Sequence, residues 1–247
     1  MSLAVISAII MTVLLIVMLA MGASISIAIG LSSAVAMLCM LPVDISLITS
    51  AQRIFTGANS FSLIAIPFFI LAGNIMNNGG IAVRLVNVAK VLSGRMPGAL
   101  AQSNVVANMM FGAISGSGAA AAAAIGGTMG PLEEKEGYDK VFSAAVNIAS
   151  APTGMLIPPS NLMIVYSTVA GSVSVAALFL AGYVPGILWG LGIMALVAWF
   201  ARKKGYVSEE RVDLKTAVHV IVDAIPSLLL IVIIIGGILG GVFTATE

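Results

Sequence analysis

Charge is what this chain has least of. Lys, Arg, Asp and Glu make up only 9% of its 247 residues, while 60% are hydrophobic, and mean hydropathy is +1.14. Soluble globular domains carry about 25% charged residues, so that class is excluded and a polytopic membrane protein remains. The formal net charge of +1 points to no nucleic-acid partner. Cysteine occurs once, at Cys39 in an apolar run, which excludes a disulfide framework. Histidine also occurs once, at His219, in what reads as the most polar loop. A base within reach of a membrane-embedded nucleophile is therefore missing, and so are an HExxH motif and a pair of membrane aspartates. An intramembrane enzyme has little to stand on. The N-terminus lacks a basic n-region and a small-residue cleavage site, so it reads as a first span and not a signal peptide.

What is present is a series of apolar runs with polar interruptions. Residues 3–21 and 24–41 are apolar and close to spanning length, separated by a break at Gly22. The stretch 42–60 is polar or amphipathic. Residues 61–77 are apolar and end at Asn77-Asn78-Gly79-Gly80, a strong helix stop. Residues 81–96 mix apolar side chains with Arg84, Lys90 and Arg95, the pattern of a helix lying in the membrane interface. The segment 98–131 is apolar but rich in glycine and serine, and PLEEKEGYDK (131–140) reads as a solvated loop with Glu133, Glu134, Glu136 and Asp139 facing water. Residues 141–170 are apolar with proline interruptions, 175–200 span, 201–219 form a polar loop, and 224–243 span again. Trp189 reads as a span residue and Trp199 as an interfacial anchor.

The basic residues fix the orientation. Arg84, Lys90, Arg95, Lys135, Lys140, Arg202, Lys203, Lys204, Arg211 and Lys215 are ten of the 11 in the chain. They occupy three segments, 81–96, 131–140 and 201–219, which the positive-inside rule places in the cytoplasm. The parity of the spans agrees if the N-terminus is outside and the segment 98–131 returns to the face it left.

That segment holds 34 residues, whereas two full crossings need about 40. It is expected to enter from the cytoplasm, turn at Ser115-Gly116-Ser117-Gly118 and leave again as a re-entrant helical hairpin. Non-helical backbone at membrane depth is tolerated only where protein or a cavity shields it, so the turn implies a polar site. Packing motifs space their small residues by four. Four consecutive Gly/Ser positions exceed that need, although the run Ala119–Ala124 also suits close packing.

A second interruption falls in NIASAPTGMLIPPSNLMIVY (147–166). Pro152 disfavours helix at Ala151, and Pro158-Pro159 disfavours it at Ile157. With Gly154 adding freedom, the expectation is two half-helices joined by an unwound stretch near residues 151–160, with Ser160 capping the second half. Two discontinuous elements are the signature of a transporter: half-helix C-termini and freed carbonyls hold cations, and half-helix N-termini face anions. Asn104 and Asn108 share a helical face near Gln102 and Ser103, and Asn147 and Ser150 precede the second break. Ionisable groups are nearly absent at depth, and a proton relay would need them. Hydroxyls, amides and carbonyls suffice for Na⁺.

SFSLIAIPFFILAGNIM (60–76), the SGSG tip and ASAPTGMLIPPSN (149–161) together resemble the large membrane subunit of TRAP (tripartite ATP-independent periplasmic) transporters, over most of residues 45–247. The resemblance implies an all-α polytopic membrane protein with the elevator-type fold of the ion-transporter superfamily: one inverted repeat containing a re-entrant hairpin and a broken transmembrane helix. It implies a Na⁺-driven importer of an organic acid such as sialic acid or a C4-dicarboxylate, in the bacterial inner membrane. Its partners would be a small four-helix membrane subunit and a periplasmic substrate-binding protein.

In domain terms, the resemblance makes 1–60 scaffold helices and a periplasmic connection, and 61–97 a span plus the arm. Residues 98–170 carry the mobile transport elements, with the hairpin at 98–131 and the broken helix at 141–170. Residues 171–222 are a scaffold span and cytoplasmic loop, and 223–247 begin the second repeat. Large subunits of this family carry a second, inverted copy of hairpin and broken helix. This chain stops at GGVFTATE, so a C-terminal half is the expected further partner. Ala245 stands where the family commonly has proline.

The expected Na⁺ ligands are Ser115, Gly116, Ser117, Asn108, Asn147, Ser150, Thr153 and Gly154. The substrate carboxylate is expected near Ser117, Gly118, Pro158, Pro159, Ser160 and Asn161, toward the other repeat. The competing expectation is a Na⁺-coupled carboxylate transporter of related architecture that works without a binding protein.

Overall fold

A computed structural model describes residues 3–59, 61–171, 173–206 and 213–243. Every regular element among them is helical. The chain divides into two units, Met1–Ser60 and Phe61–Glu247.

The first unit holds α1 (Leu3–Ala20), α2 (Ile25–Leu38) and α3 (Val43–Ala58). The chain leaves α1 through Gly22, whose φ of 82° lies in the left-handed region that glycine enters without penalty. Pro42 precedes the first turn of α3, and Asp44 sits in that turn, where a negative charge suits the helix dipole. The stretch 42–60 is thus helical over most of its length.

The second unit begins with α4 (Phe61–Asn78) and α5 (Ile81–Ser93). The expected helix stop lies between them: Gly80 takes a φ of 76°. On α5, Ala82, Leu85, Val86, Val88 and Ala89 are buried, and all but Val88 pack in a cluster with Phe111, Ile114, Ile125 and Met129. Its basic residues lie on the remaining face, where Arg84 meets Asp223 at 3.4 Å.

The hairpin follows as α6 (Ala99–Ser115) and α7 (Gly118–Lys135). Each arm is shorter than the about 20 residues of a crossing. Arm α7 runs through Pro131 to Lys135, so the expected loop at 131–140 is in fact helix for its first half. Glu133 and Tyr138 are buried there. Glu134, Glu136 and Asp139 are exposed as expected.

The broken helix comprises α8 (Lys140–Ser150), α9 (Thr153–Leu156) and α10 (Asn161–Ala170). The segments on either side of the break bend by 47°. The expected unwinding over 151–160 is too long. Ala151 keeps helical dihedrals and its N–H bonds to Asn147 O at 3.0 Å, while Met155 N–H reaches Pro152 O at 2.9 Å. Pro152 opens the short helix α9 from its N-cap position, where a missing N–H costs nothing. Apart from the turn at Ala151–Pro152, only Ile157–Ser160 lie outside helix.

Two long helices complete the unit: α11 (Val175–Lys204) and α12 (Leu214–Leu239). Within the expected polar loop 201–219, residues 201–204 end α11 and 214–219 begin α12. His219 lies on α12 and not in a loop. By length and composition α1, α11 and most of α12 can cross a membrane, and the α8–α10 pair adds a fourth, bent span. The chain is a multi-pass membrane protein. Gly98, with φ 70°, lets α6 start against α11, for a methyl there would sit 2.6 Å from the Ala201 side chain.

Candidate functional site: the meeting of two helix breaks

Both breaks are built the same way. Ser117 is the N-cap of α7, in an extended conformation (φ −134°, ψ 118°), and its hydroxyl accepts from Ala120 N–H at 3.3 Å. Ser160 is the N-cap of α10 with nearly the same dihedrals (φ −131°, ψ 121°) and accepts from Met163 N–H at 3.4 Å. Serine satisfies an orphan donor at a helix start in this conformation, so the expected cap at Ser160 is present. Gly116 ends α6 with φ 62° and its N–H bonds to Gly112 O at 2.9 Å, a left-handed helix terminus.

The two breaks touch. Asn161 N–H donates to Gly116 O at 3.2 Å. A methyl on Gly116 would lie 2.8 Å from Pro159 O, so the tip approaches the second break with backbone alone. On the other side of the tip, a methyl on Gly118 would lie 3.1 Å from Ala151 O. Further along, Gly112 and Gly154 pack backbone to backbone, with no room for a side chain on Gly112. Ser115, Gly116, Ser117, Gly118, Thr153, Gly154, Pro159, Ser160 and Asn161 therefore belong to one locality joining tip and break.

Within that locality the polar groups are neutral. Ser115 Oγ lies 3.4 Å from both Ser117 N and Ser117 O. Thr153 Oγ1 donates to Ser150 O and Ser160 Oγ to Met155 O, each at 2.6 Å. Ser150, Thr153 and Ser160 are fully buried. The Asn161 side-chain oxygen is buried without a partner. Pro158 is buried as well and also walls an apolar crevice with Phe179 and Ile238.

Below the tip runs a chain of amides. Asn108 Nδ2 lies within hydrogen-bond distance of three oxygens: Asn104 Oδ1 at 2.9 Å, Asn147 Oδ1 at 3.0 Å and Ser150 Oγ at 2.8 Å. Asn147 Nδ2 in turn donates to Ala122 O at 2.9 Å. The chain ties α6, α7 and α8 together, and Asn108 Oδ1 is left buried without a partner. Gly126 lets Asn147 in, for a methyl there would collide with its Nδ2.

The donor set is one of hydroxyls, carbonyls and carboxamides without a carboxylate at the tip. Among the described residues no group of three or more His, Cys, Asp or Glu gathers anywhere. Such a set fits an alkali cation, held by neutral oxygens at a helix break, and not a divalent transition metal.

Sequence reasoning missed three contacts. Asn104 Nδ2 donates to Glu133 Oε1 at 3.2 Å. Glu133 was expected in water, but α7 continues past Pro131 and its phase turns this carboxylate inward. Burial raises its pKa above the usual carboxylate range, and the Asn104 and Ser143 side chains pull it partly back. Trp189 Nε1 donates to Ala149 O at 2.9 Å, pinning α11 to α8. The third is the Gly112–Gly154 backbone approach, which depends on where two separate helices lie.

Two discontinuous helices whose breaks meet in a multi-pass helical chain are an arrangement that membrane transporters use. Residues 12–247 match the family described as Tripartite ATP-independent periplasmic transporter, DctM component, and the chain belongs to that family. It is 57% identical over 231 residues to the Uncharacterized protein YgiK of Salmonella typhimurium, covering 94% of this chain and 53% of the relative. It is 44% identical over 236 residues to the C4-dicarboxylate TRAP transporter large permease protein DctM of Vibrio cholerae, covering 95% and 51%. It is 38% identical over 202 residues to the Sialic acid TRAP transporter large permease protein SiaM of the same organism, covering 80% and 46%. The chain spans about half the length of these relatives. The DctM and SiaM relatives are named as permeases, not enzymes.

Proposed function

We propose that this chain forms the first of two repeats in the large membrane subunit of a Na⁺-coupled importer of an organic acid. The observation that carries the reading is the bond from Asn161 N–H to Gly116 O, which brings two serine-capped helix starts to one point. Helix N-termini favour anions, and the neutral oxygens around them suit Na⁺. The residues that would hold Na⁺ are Ser115, Gly116, Ser117, Ser150, Thr153 and Gly154, with Asn108 and Asn147 beneath them. Ser117, Gly118, Pro158, Pro159, Ser160 and Asn161 would face the substrate carboxylate. Bound Na⁺ supplies positive charge beside that carboxylate, so the two are held together more tightly than either alone. The chain's own part is to hold tip and break in register, exclude water and present both helix starts.

Relatives are named for C4-dicarboxylate, sialic acid and 2,3-diketo-L-gulonate transport, so a small carboxylate is the substrate class. By the same reading a small membrane subunit, a periplasmic binding protein and a second repeat complete the machine, in the bacterial inner membrane, and uptake proceeds by an elevator movement of hairpin and broken helix together. The test is uptake into proteoliposomes by the complete complex with its binding protein. Uptake should require an inward Na⁺ gradient, and uptake indifferent to that gradient defeats the coupling. Uptake that proceeds undiminished without the binding protein defeats the tripartite reading.

A further inference from the structure

Trp189 stands where neither common role of tryptophan in a membrane protein applies. It lies 14 positions after Val175 and 15 before Lys204, in the middle of α11, whereas belt residues sit at the two interfaces. Trp199, near the basic end of α11, has the belt position. Trp189 is also 48% exposed, so filling a core does not account for it. Its indole N–H has a partner: it donates to Ala149 O at 2.9 Å.

That carbonyl belongs to the last turn of α8, beside the break. Helix ends leave their last C=O groups without intrahelical donors, and Pro152 brings no N–H for Ile148 O. The neighbouring carbonyls are met from within the same stretch. Asn147 O accepts from Ala151 N–H and Ala151 O from Gly154 N–H, each at 3.0 Å. Ser150 O accepts from the Thr153 hydroxyl at 2.6 Å. Ala149 O is met by a side chain of another helix, 40 positions along the chain. The end of α8 also faces the hairpin tip, for Ala151 O lies 3.1 Å from where a methyl on Gly118 would sit.

The approach is built into α11. Gly186 lies three positions before Trp189, on the same side of the helix. A methyl on Gly186 would lie 2.6 Å from the Ile157 side chain, and one on Gly182 would collide with Leu156 O. The two glycines bring α11 against the break, and the indole reaches the end of α8.

We infer that Trp189 is a positioning residue for the cation proposed at the break. Its indole N–H holds Ala149 O, fixes the last turn of α8, and so sets how the oxygens of Ser150 and Thr153 are presented to the tip. This rests on the Na⁺ site proposed above. Trp189 itself touches no ion. Without its N–H, the last turn of α8 is ordered only when the cation binds, and binding weakens by that cost.

Two measurements on the complete complex test this: hydrogen exchange in lipid nanodiscs over a Na⁺ titration, with choline holding ionic strength constant, and uptake into proteoliposomes. In Na⁺-free buffer, peptides covering 147–157 should exchange faster in Trp189→Phe than in the wild type. The Na⁺ concentration that half-protects them should rise about fivefold, the equilibrium effect of one hydrogen bond. In uptake, KM for Na⁺ should rise by a like factor while kcat stays unchanged. A tryptophan analogue with sulfur in place of the indole N–H, inserted at 189 alone, keeps the ring and should behave as the Phe variant does. It also serves if the Phe variant does not fold. Trp199→Phe should match the wild type. An impaired Phe variant beside a sulfur analogue that matches the wild type makes the ring a packing element and overturns the proposal. A fall in kcat at unchanged KM overturns it too. Na⁺ protection that both variants leave unaltered overturns this proposal alone, whereas a wild type in which Na⁺ protects nothing at 147–157 overturns the cation site and the proposal with it.

Discussion

Asn161 and Gly116, 45 positions apart, share one backbone hydrogen bond of 3.2 Å. It joins the start of α10 to the tip of the hairpin. Neither residue contributes a side chain to it, so substitutions act on it only through backbone shape. Gly116→Ala must adopt φ 62°, which costs an L-residue about 1–2 kcal/mol, and its methyl meets Pro159 O at 2.8 Å. The expected result is a lower melting temperature in detergent and no uptake by the complex. Wild-type uptake by this variant would show that tip and break separate freely.

Ser117→Leu should abolish transport while leaving membrane insertion intact. It removes the α7 cap, typically worth about 0.5–2 kcal/mol, and sets a branched apolar side chain beside the proposed ion. Membrane fractionation and uptake read the two effects independently. If transport survived, the tip would be only a packing feature.

Asn108→Leu withdraws the amide from Asn104, Asn147 and Ser150 together. Leaving a buried acceptor unpaired costs about 1–3 kcal/mol. The melting temperature should drop more than for Trp189→Phe, which loses only the bond to Ala149 O. Equal drops for the two variants would show that the amide chain is not a unit.

Glu133 predicts a pH dependence. Burial raises its folded-state pKa above the ordinary value of 4.5, so the native chain keeps a proton that the unfolded chain has already lost. Stability in Na⁺-free buffer should therefore fall as pH rises from about 4.5 toward the folded-state value and level off above it. Glu133→Gln should flatten that fall. The neighbouring Glu134, Glu136, Tyr138, Lys140 and Tyr206 are common to both proteins, so their titration cancels in the comparison. Thermal melts at a series of pH values check it, and superimposable profiles would sink it.

The two breaks were legible because they are written in local chemistry. SGSG and PPS each place glycine or proline before a serine, and each yields an extended cap and a new helix. The reach of Pro152 was overestimated, since a proline at a helix start loses nothing. Glu133 was misread because EEKE looks solvated until the phase of α7 against α8 is known, and that phase is set by packing. The same holds for Trp189 and Ala149, whose bond joins helices 40 residues apart. Contacts of this kind depend on where a whole helix lies, and no short stretch records it.

Gly112 and Gly154 meet backbone to backbone on α6 and α9, and the volume there is shared. A methyl on Gly112 would collide with the Gly154 Cα, so it fits only if the backbones part. The hairpin and the broken helix consequently have a common tolerance at this crossing. A gain of size on one helix can be absorbed only by moving the other, and with it the carbonyls at the tip. The two positions act as one steric unit spread over two helices, and a library randomised at both should return glycine at 112 whatever it returns elsewhere.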